Sequence, residues 1–129
     1  MWVYKQKTGE LFDPSGGLCA VGYSGGNCGK NPEGINNPNL AGFKKIGPIV
    51  CGIYTFGIPV MRSTLGPFAI PLIPDIANDM LGRSGFYMHG DTALPGKASE
   101  GCIIMQRAIR ETCWNSDDHV LVVITGLEE

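Results

Sequence analysis

The chain has 129 residues, of which 43% are hydrophobic and 17% are charged, and it contains 19 glycines and 9 prolines. This composition excludes a disordered chain, predicts a single domain spanning 1–129, and favours a turn-rich, mainly β (α+β) fold over a helical bundle. The formal net charge of −2 provides no basic field, which argues against nucleic acid as a partner.

The first half of the chain predicts short strands followed by a long loop. The alternating segment WVYKQ, a turn at residues 8–9 and a return at 10–12 predict a hairpin, and a third strand is expected at 18–23. Residues 24–47 contain GG, NPEG and NNPN with little hydrophobic periodicity. A loop this long in a small domain favours a wall of a substrate cleft, with a structural Ω-loop as the alternative.

The second half predicts further strands and one principal helix. In IIMQRAIRETCW, Ile104, Ala108 and Ile109 fall on one helical face, which predicts a helix at about 103–114. The run from 120 to 124 is apolar throughout, which indicates a strand covered on both faces. The remaining predicted elements are strands at 48–56, 67–72 and 85–89 and a short helix near 75–81.

Neither end of the chain predicts a membrane segment. No run approaches the roughly 20 unbroken apolar residues that cross a bilayer, so we expect no membrane insertion. The opening residues also lack the apolar region and cleavage site of a signal peptide, so we expect either a mature chain or export by another machine.

One segment, GFYMHGDTALPGKASEGCIIM, carries a possible nucleophile and base. His89 ends a predicted strand, and Cys102 begins the predicted helix, where the helix dipole and an imidazole both favour a reactive thiolate. Gly101 allows a substrate carbonyl to approach, and amides at a helix start can bind an oxyanion. The segment therefore predicts an acyl-transfer site, with two inert core residues as the alternative.

The same segment resembles a known family. Its HG and SEGCI elements resemble the signature of the L,D-transpeptidases of the YkuD class, and the flanking residues are similar to the L,D-transpeptidase-like effectors of type VI secretion systems. The stretches WVYKQKTGELF, GYSG, GKNP and IGPIVCGIYTFG resemble that family in the same order. The resemblance implies a small curved sheet or sandwich of the L,D-transpeptidase type with one active-site helix.

The resemblance also implies chemistry on peptidoglycan tetrapeptide stems. Members attack the carbonyl of the third stem residue, expel the terminal D-alanine, and transfer the acyl group to water, to a free D-amino acid or to another stem. By this resemblance Cys102 is the nucleophile, His89 is the base, Ser99 is the Ser/Thr of the signature, and the amides of Gly101 and Cys102 form the oxyanion site. The resemblance implies no cofactor. It implies action in the periplasm of a target bacterium and the existence of a cognate immunity protein.

Two positions depart from the transpeptidase signature. Glu100 replaces a histidine, and Ile104 replaces an arginine that usually follows the cysteine. Both departures disfavour efficient cross-linking and favour trimming or D-amino-acid exchange.

Several further residues are candidates for supporting roles. Asp91, after Gly90, is a candidate to orient His89 or to shape the pocket, although a turn role is the alternative. Arg83 is a candidate partner for a substrate carboxylate. Lys30, Asn31 and Glu100 are candidate substrate contacts, whereas Tyr23, Tyr54 and His119 are expected to be structural.

Two other functions remain open at this point. A papain-like or NlpC-like wall endopeptidase is disfavoured, because those enzymes place the cysteine before the histidine in the chain. A non-enzymatic β-sandwich binding module would leave the thiol protonated and slow to react at mildly acidic pH.

The cysteine count is odd, which leaves at least one thiol unpaired. In an oxidising compartment we expect Cys19 to pair with Cys28 across the GYSGG turn, and, as a weaker proposal, Cys51 with Cys113 under the helix. Reduced thiols are the alternative. No CxxC or HxxxH spacing occurs, so no metal site is predicted.

Overall fold

The structure, a computed structural model, describes residues 1–127 and is mainly β. These residues form ten strands and one α-helix: β1 Trp2–Lys5, β2 Glu10–Phe12, β3 Leu18–Val21, β4 Tyr23–Ser24, β5 Gly52–Phe56, β6 Val60–Arg62, β7 Gly66–Pro74, β8 Tyr87–His89, β9 Ile103–Ile104, α1 Arg107–Asn115 and β10 Val120–Ile124. Three short 3-10 turns interrupt the β4–β5 loop, residues 25–51, at Asn27–Gly29, Pro32–Gly34 and Pro38–Leu40. Within residues 1–127 the structure contains no helix with the length and hydrophobicity that a bilayer crossing requires.

The strands form one mixed, open sheet that curls around the core. Its order is β3-β2-β1-β10-β5-β7-β8-β9-β4, with β6 paired to β7. The pairs β1–β10 and β8–β9 are parallel, and the other pairs are antiparallel. Since β3 and β4 stand at opposite ends of this order but are joined through the single residue Gly22, the sheet must bend until its two ends meet.

Gly22 is required at this junction by close approach of the backbone on both sides. Its N–H donates to the Gly9 carbonyl at 2.8 Å. A Cβ at position 22 would clash with the Ile104 carbonyl and would lie 2.9 Å from the Met105 sulfur. Only glycine fits this space, which gives a physical reason for the first glycine of GYSG.

The core fills the inside of the curled sheet. Side chains alternate along β1, β5 and β10, so that Trp2, Tyr4, Tyr54, Leu121 and Val123 are buried. Helix α1 contacts β7 and β8 and contributes Cys113 to this core. These residues make one continuous apolar cluster.

The structure confirms the N-terminal hairpin and the final strand, but β10 is buried on one face only. Leu121 and Val123 point into the core, whereas Val120 and Ile124 are more than a third exposed. The prediction of a strand covered on both faces is therefore wrong, because an apolar run in an antiparallel or mixed sheet does not require a second layer.

The principal helix begins later than its apolar pattern suggests. Ile103 and Ile104 form strand β9, and α1 begins at Arg107. Its buried face contains Cys113 and, against expectation, Arg110, whose guanidinium donates to the carbonyls of Pro67 and Phe68 at 2.9 and 2.8 Å. The helical pattern of apolar residues in the sequence includes Ile103 and Ile104, although these two residues belong to a strand and the helix starts at Arg107.

The predicted helix near 75–81 is a series of turns. The Asp75 carboxylate accepts from the Ala77 N–H at 3.0 Å. The Asn78 side chain makes two hydrogen bonds to the backbone of Ile53 in β5. Its Oδ1 accepts from the Ile53 N–H at 3.0 Å, and its Nδ2 donates to the Ile53 carbonyl at 2.9 Å. Side chains that bond to neighbouring backbone in this way compete with helix formation.

Two buried tyrosines provide a test of the core. Tyr4 and Tyr54 are both fully buried, but the Tyr54 hydroxyl donates to the Val50 carbonyl at 2.6 Å, whereas no group in residues 1–127 pairs with the Tyr4 hydroxyl. Tyr54→Phe should lower the free energy of unfolding by about 1 to 2 kcal/mol, and Tyr4→Phe should leave it unchanged or raise it. Urea denaturation measures both; equal losses in the two variants would contradict the assignment.

Candidate active site

Cys102 and His89 line the same cleft, which has a volume of about 700 Å³. One wall comes from the β4–β5 loop through Cys28, Lys44 and Lys45. The prediction that this loop forms a wall of the cleft is therefore confirmed. Its three 3-10 turns and its glycines let a long polar segment bend closely around the opening.

Strand pairing positions the two central residues. Strands β8 and β9 run parallel, with Met88 opposite Ile103 and His89 opposite Ile104. Cys102 immediately precedes β9, and its Sγ accepts a hydrogen bond from the Tyr87 N–H at 3.3 Å. The prediction that Cys102 lies at a helix N-terminus is wrong, because α1 begins at Arg107 and a helix dipole acts only within its first turn.

The Cys102 thiol is protonated at neutral pH. Burial raises its pKa to about 11, and the Glu100 carboxylate also raises it, while the Tyr87 amide and the Arg83 guanidinium act in the opposite direction. The preformed thiolate that the sequence predicted is not what this environment favours, so slow reaction at mildly acidic pH does not distinguish an enzyme from a binding module here.

His89 is neutral and has a defined tautomer. The residue is 3% exposed, and burial lowers the pKa of its imidazole. Nδ1 lies 2.9 Å from the Gly90 carbonyl oxygen. Because a carbonyl only accepts, Nδ1 carries the proton and Nε2 is left as the basic nitrogen.

The two groups are not hydrogen-bonded to each other in this structure. In the described part of the chain, Cys102 Sγ contacts the Tyr87 amide and, at 4.0 Å, the Gly85 carbonyl, and no bond joins it to the His89 ring. Hydrogen bonds of this kind are often long without substrate and shorten in the reacting complex.

Ser99 fixes the segment Ser99–Cys102, here called the nucleophile turn. Its hydroxyl is fully buried and donates to the Cys102 carbonyl at 2.6 Å. It accepts from the amides of Gly25 and Gly101 at 2.8 and 3.0 Å. The Gly101 amide is therefore occupied, which counts against its predicted role in an oxyanion site.

Ser24, which the sequence analysis did not select, supports the same turn. Its buried hydroxyl donates to the Gly101 carbonyl and accepts from the Ile49 N–H, both at 2.8 Å. It thereby joins the nucleophile turn to the start and the end of the β4–β5 loop. The serine of GYSG is the signal that could have identified it.

Arg83 is buried and holds four carbonyl groups. Its Nη1 donates to Ala41 and Pro48 at 2.7 and 2.8 Å, and its Nη2 donates to Gly47 and Glu100 at 3.2 and 3.1 Å. The predicted role as partner of a substrate carboxylate does not fit, because the terminal N–H groups of Arg83 already donate to these carbonyls.

Gly101 is required by this arginine rather than by substrate. Its φ is +128°, and a Cβ there would clash with Arg83 Nη2 and lie 2.7 Å from the Phe86 ring. The sequence analysis assigned the glycine to close approach of a carbonyl. The space is instead filled by the guanidinium and the ring.

Asp91 organises the loop between His89 and Cys102. Its carboxylate accepts from the Tyr23 hydroxyl at 2.7 Å and from the amides of Thr92 and Gly96. The Tyr23 hydroxyl in turn accepts from the Ala98 N–H at 3.0 Å. Tyr23 therefore bridges both ends of this loop, a role beyond the strand packing expected of it, while Asp91 shapes the loop and makes no bond to the imidazole.

Gly90 supports His89 through its carbonyl and lies against Arg110. A Cβ at position 90 would lie 3.0 Å from Arg110 Nη2. The charge of Arg110 contributes to the lowered pKa of His89. This arginine was not predicted, because its helical position suggested a solvated face.

The predicted contacts in the β4–β5 loop lie elsewhere than expected. Lys30 is exposed and Asn31 bonds to Asn27 and Glu33, and neither lines the cleft. The basic residues of this loop that do line the cleft are Lys44 and Lys45. Within a loop of irregular conformation, sequence alone gives no periodicity that would separate inward from outward side chains.

All five cysteines are unpaired, so neither predicted disulfide is formed. Cys28 lies exposed in the cleft wall, whereas Cys19 and Cys51 are half-buried and Cys113 is fully buried. The GYSGG segment does not bring Cys19 back to Cys28, because the chain pairs with β2 before Gly22 and with β9 after it, rather than reversing on itself. The thiol that affects the pKa of Cys113 is Cys19, not Cys51.

Across residues 1–127 no three acidic, histidine or cysteine side chains gather as metal ligands.

Comparison with known proteins assigns most of the chain to one family. A family model described as the Tlde1 domain matches residues 20–125. No curated protein and no solved structure matches the chain.

The raised pKa of Cys102 predicts how fast it reacts at different pH. With a pKa of about 11, the thiolate fraction and the rate of alkylation by iodoacetamide should rise about tenfold for each pH unit between 7 and 10. Peptide mass spectrometry at Cys102, with Cys102→Ala as the blank, measures this rate. A plateau below pH 7 would instead indicate a preformed thiolate–imidazolium pair.

Because Arg83 donates hydrogen bonds to four carbonyls, we expect its replacement to lower the stability of the fold. Arg83→Lys should lower the free energy of unfolding by about 2 to 4 kcal/mol, because an ammonium cannot reproduce the planar set of donors. The control, Arg107→Lys, alters an exposed pair with Glu111 and a cation–π contact with the Phe68 ring at 5.4 Å, and should cost under about 1 kcal/mol. Urea denaturation measures both, and similar losses would contradict the role of Arg83.

Proposed function

The chain belongs to the Tlde1 domain family of type VI secretion effectors, and we propose that it is a cysteine-dependent enzyme acting on peptidoglycan stem peptides in the periplasm of a target bacterium. The observation that carries this proposal is the cleft shared by the half-buried Cys102 thiol and a neutral imidazole of defined tautomer. A cognate immunity protein in the producing cell is part of the proposal, since an active wall enzyme endangers its source.

The proposed reaction starts from the neutral pair. His89 Nε2 takes the proton of Cys102 as Sγ attacks the carbonyl carbon of the third stem residue. The tetrahedral intermediate collapses to a thioester, and His89 returns the proton to the departing amine of D-alanine. The Tyr87 amide, which already donates to Sγ, stabilises negative charge as it develops on the sulfur.

The thioester is then released to one of two acceptors. Water gives the shortened stem, which is carboxypeptidase activity, and the amine of a free D-amino acid gives an exchanged stem, which is transpeptidase activity. In both cases His89 removes a proton from the acceptor. Ile104 is buried between β8 and β4, so this position contributes no charged group to hold a second stem, which favours trimming or exchange over cross-linking.

The order of the two residues also favours this class over the papain-like and NlpC-like alternatives. His89 precedes Cys102; it ends β8, and Cys102 immediately precedes the adjacent parallel strand β9 rather than beginning a helix. No organic cofactor or metal is needed for these steps, because the thiol and the imidazole supply the nucleophile and the proton transfers.

Two substitutions test the proposed function. Cys102→Ala and His89→Ala should each lower the loss of D-alanine from tetrapeptide muropeptides by about 10³-fold or more, because nucleophile and base act as a unit. Mass spectrometry of the products separates hydrolysis from exchange and cross-linking. Cys19→Ala, outside the cleft, is the matched control and should keep wild-type activity.

Two results would reject the enzyme. Activity close to wild type in a folded Cys102→Ala variant would remove the nucleophile from the mechanism. A wild-type protein that leaves the muropeptides unchanged and whose Cys102 resists alkylation up to pH 10 would favour the non-enzymatic binding module.

A further inference from the structure

A second cavity, of about 450 Å³, lies where strand β9 leads into helix α1. Neither Cys102 nor His89 lines it, so it is separate from the proposed reaction site. Its polar lining residues are Tyr23, Asp91, Gln106, Arg107 and Arg110. The mechanism proposed above uses none of these side chains for a chemical step.

Arg110 is a buried cation in this cavity. It is 5% exposed, and in residues 1–127 no ion pair includes it. Its Nε donates to the Met105 carbonyl and its Nη1 to the carbonyls of Pro67 and Phe68, whereas Nη2 has no acceptor in the same part of the chain. A Cβ on Gly90, which also lines the cavity, would lie 3.0 Å from Nη2. The Nη2 group therefore faces the cavity, and a buried charge that is bonded only to neutral groups favours an anion beside it.

The start of α1 places unpaired amide groups at the same cavity. In the described chain its N-cap residue, Gln106, makes no side-chain bond to the helix, and the first turn contains no acidic residue. Among these residues the amides of Arg107 and Ala108 have no acceptor either. Free amides at a helix start carry the positive end of the helix dipole and bind anions.

The two arginines oppose the helix dipole instead of complementing it. Arg107 and Arg110 occupy the first and fourth helical positions, where acidic side chains are favourable. Burial and the charge of Arg107 lower the pKa of Arg110, so the two cations are close enough to repel each other. Glu111 pairs with Arg107 at 3.1 Å but lies outside the cavity. A locally unfavourable arrangement of this kind is typical of a functional site, and a bound anion would relieve it.

The cavity also contains one carboxylate, that of Asp91. It accepts from the Tyr23 hydroxyl at 2.7 Å and from the amides of Thr92 and Gly96 at 2.9 and 3.2 Å. These donors compensate its charge within its own loop. Asp91 forms no ion pair with either arginine in the part of the chain that the structure describes, so the positive charge at the start of α1 is not neutralised by it.

We propose that this cavity is a binding site for a phosphate group, with Nη2 of Arg110, the guanidinium of Arg107 and the amides of Arg107 and Ala108 as its donors. Phosphate suits three separate donor groups because its oxygens point in several directions, whereas a carboxylate offers two oxygens in one plane. The site goes beyond the proposed function, since its occupation requires no wall substrate.

The first experiment follows occupation of the site by NMR. In the isotope-labelled protein, inorganic phosphate at constant ionic strength should shift the amide resonances of Arg107 and Ala108 and the Nε–H resonance of Arg110 along one saturable curve, with a Kd of about 1 mM or lower. Acetate should bind at least about tenfold more weakly, and chloride should give no saturable shift. Methyl phosphate, compared with inorganic phosphate, distinguishes a site for phosphate esters from one for the free ion.

The second experiment uses a substitution that should stabilise the fold while removing the site. In Gln106→Asp the carboxylate caps α1 and complements its dipole, so the urea midpoint should rise. Phosphate affinity should fall at least about tenfold, because the cavity then contains its own anion. Gln106→Asn provides a cap of the same size without the charge and should lose no more than about threefold in affinity. Asn115→Asp adds the charge at the exposed far end of the same helix, outside the cavity, and should leave the affinity unchanged.

Three results would overturn the proposal. These are resonances that do not shift or do not saturate with phosphate, acetate that binds as tightly as phosphate, and a folded Gln106→Asp variant that keeps wild-type affinity. All of these measurements are made without wall substrate, and in Cys102→Ala as well as in the wild-type protein. Failure to bind phosphate therefore leaves the proposed function standing, and a protein that is inactive on muropeptides can still show the phosphate site.

Discussion

The buried guanidinium of Arg83 is the interaction on which the geometry of the cleft depends. It joins three carbonyls of the β4–β5 loop, from Ala41, Gly47 and Pro48, to the carbonyl of Glu100 in the nucleophile turn. A loop of this length has a large conformational entropy to lose, and in residues 1–127 no regular strand or α-helix lies within it to offset that loss. Charged donors bonded to buried carbonyls supply the required stabilisation, so wall and nucleophile are positioned by one side chain.

Burial of the reacting pair determines its resting chemistry. The thiol and the imidazole are both neutral, because each lies where a charge would lose hydration. A protonated thiol exchanges slowly with other thiols and disulfides, which suits a chain whose five cysteines are all unpaired. In the proposed mechanism charge develops on the sulfur only during attack, when proton transfer to His89 and the Tyr87 amide both favour it.

The sequence predicted the strands with clear alternation and failed where contacts distant in the chain decide the structure. The N-terminal hairpin and β10 follow from local patterns. Strand β9 does not, because Ile103 and Ile104 continue an apolar helical stripe and become a strand only by pairing with β8 and β4. Arg83 and Arg110 are further examples, since burial of a guanidinium depends on carbonyls supplied by other segments. The presence of Cys102 and His89 in one cleft could be predicted from the motif. Their protonation states could not, because they depend on how deeply the fold buries each side chain.

The four positions of the nucleophile turn are constrained for different physical reasons. Ser99 is fixed by three hydrogen bonds and full burial, and Gly101 is fixed by the space that Arg83 and Phe86 occupy. Cys102 is held by the Ser99 hydroxyl at its carbonyl and by the Tyr87 amide at its sulfur. Position 100 is different, because its backbone is bound while its side chain is exposed to the cleft. The side chain at position 100 can therefore be replaced without disturbing the turn. A glutamate at this position changes the electrostatic potential of the cleft and leaves the position of Cys102 unchanged.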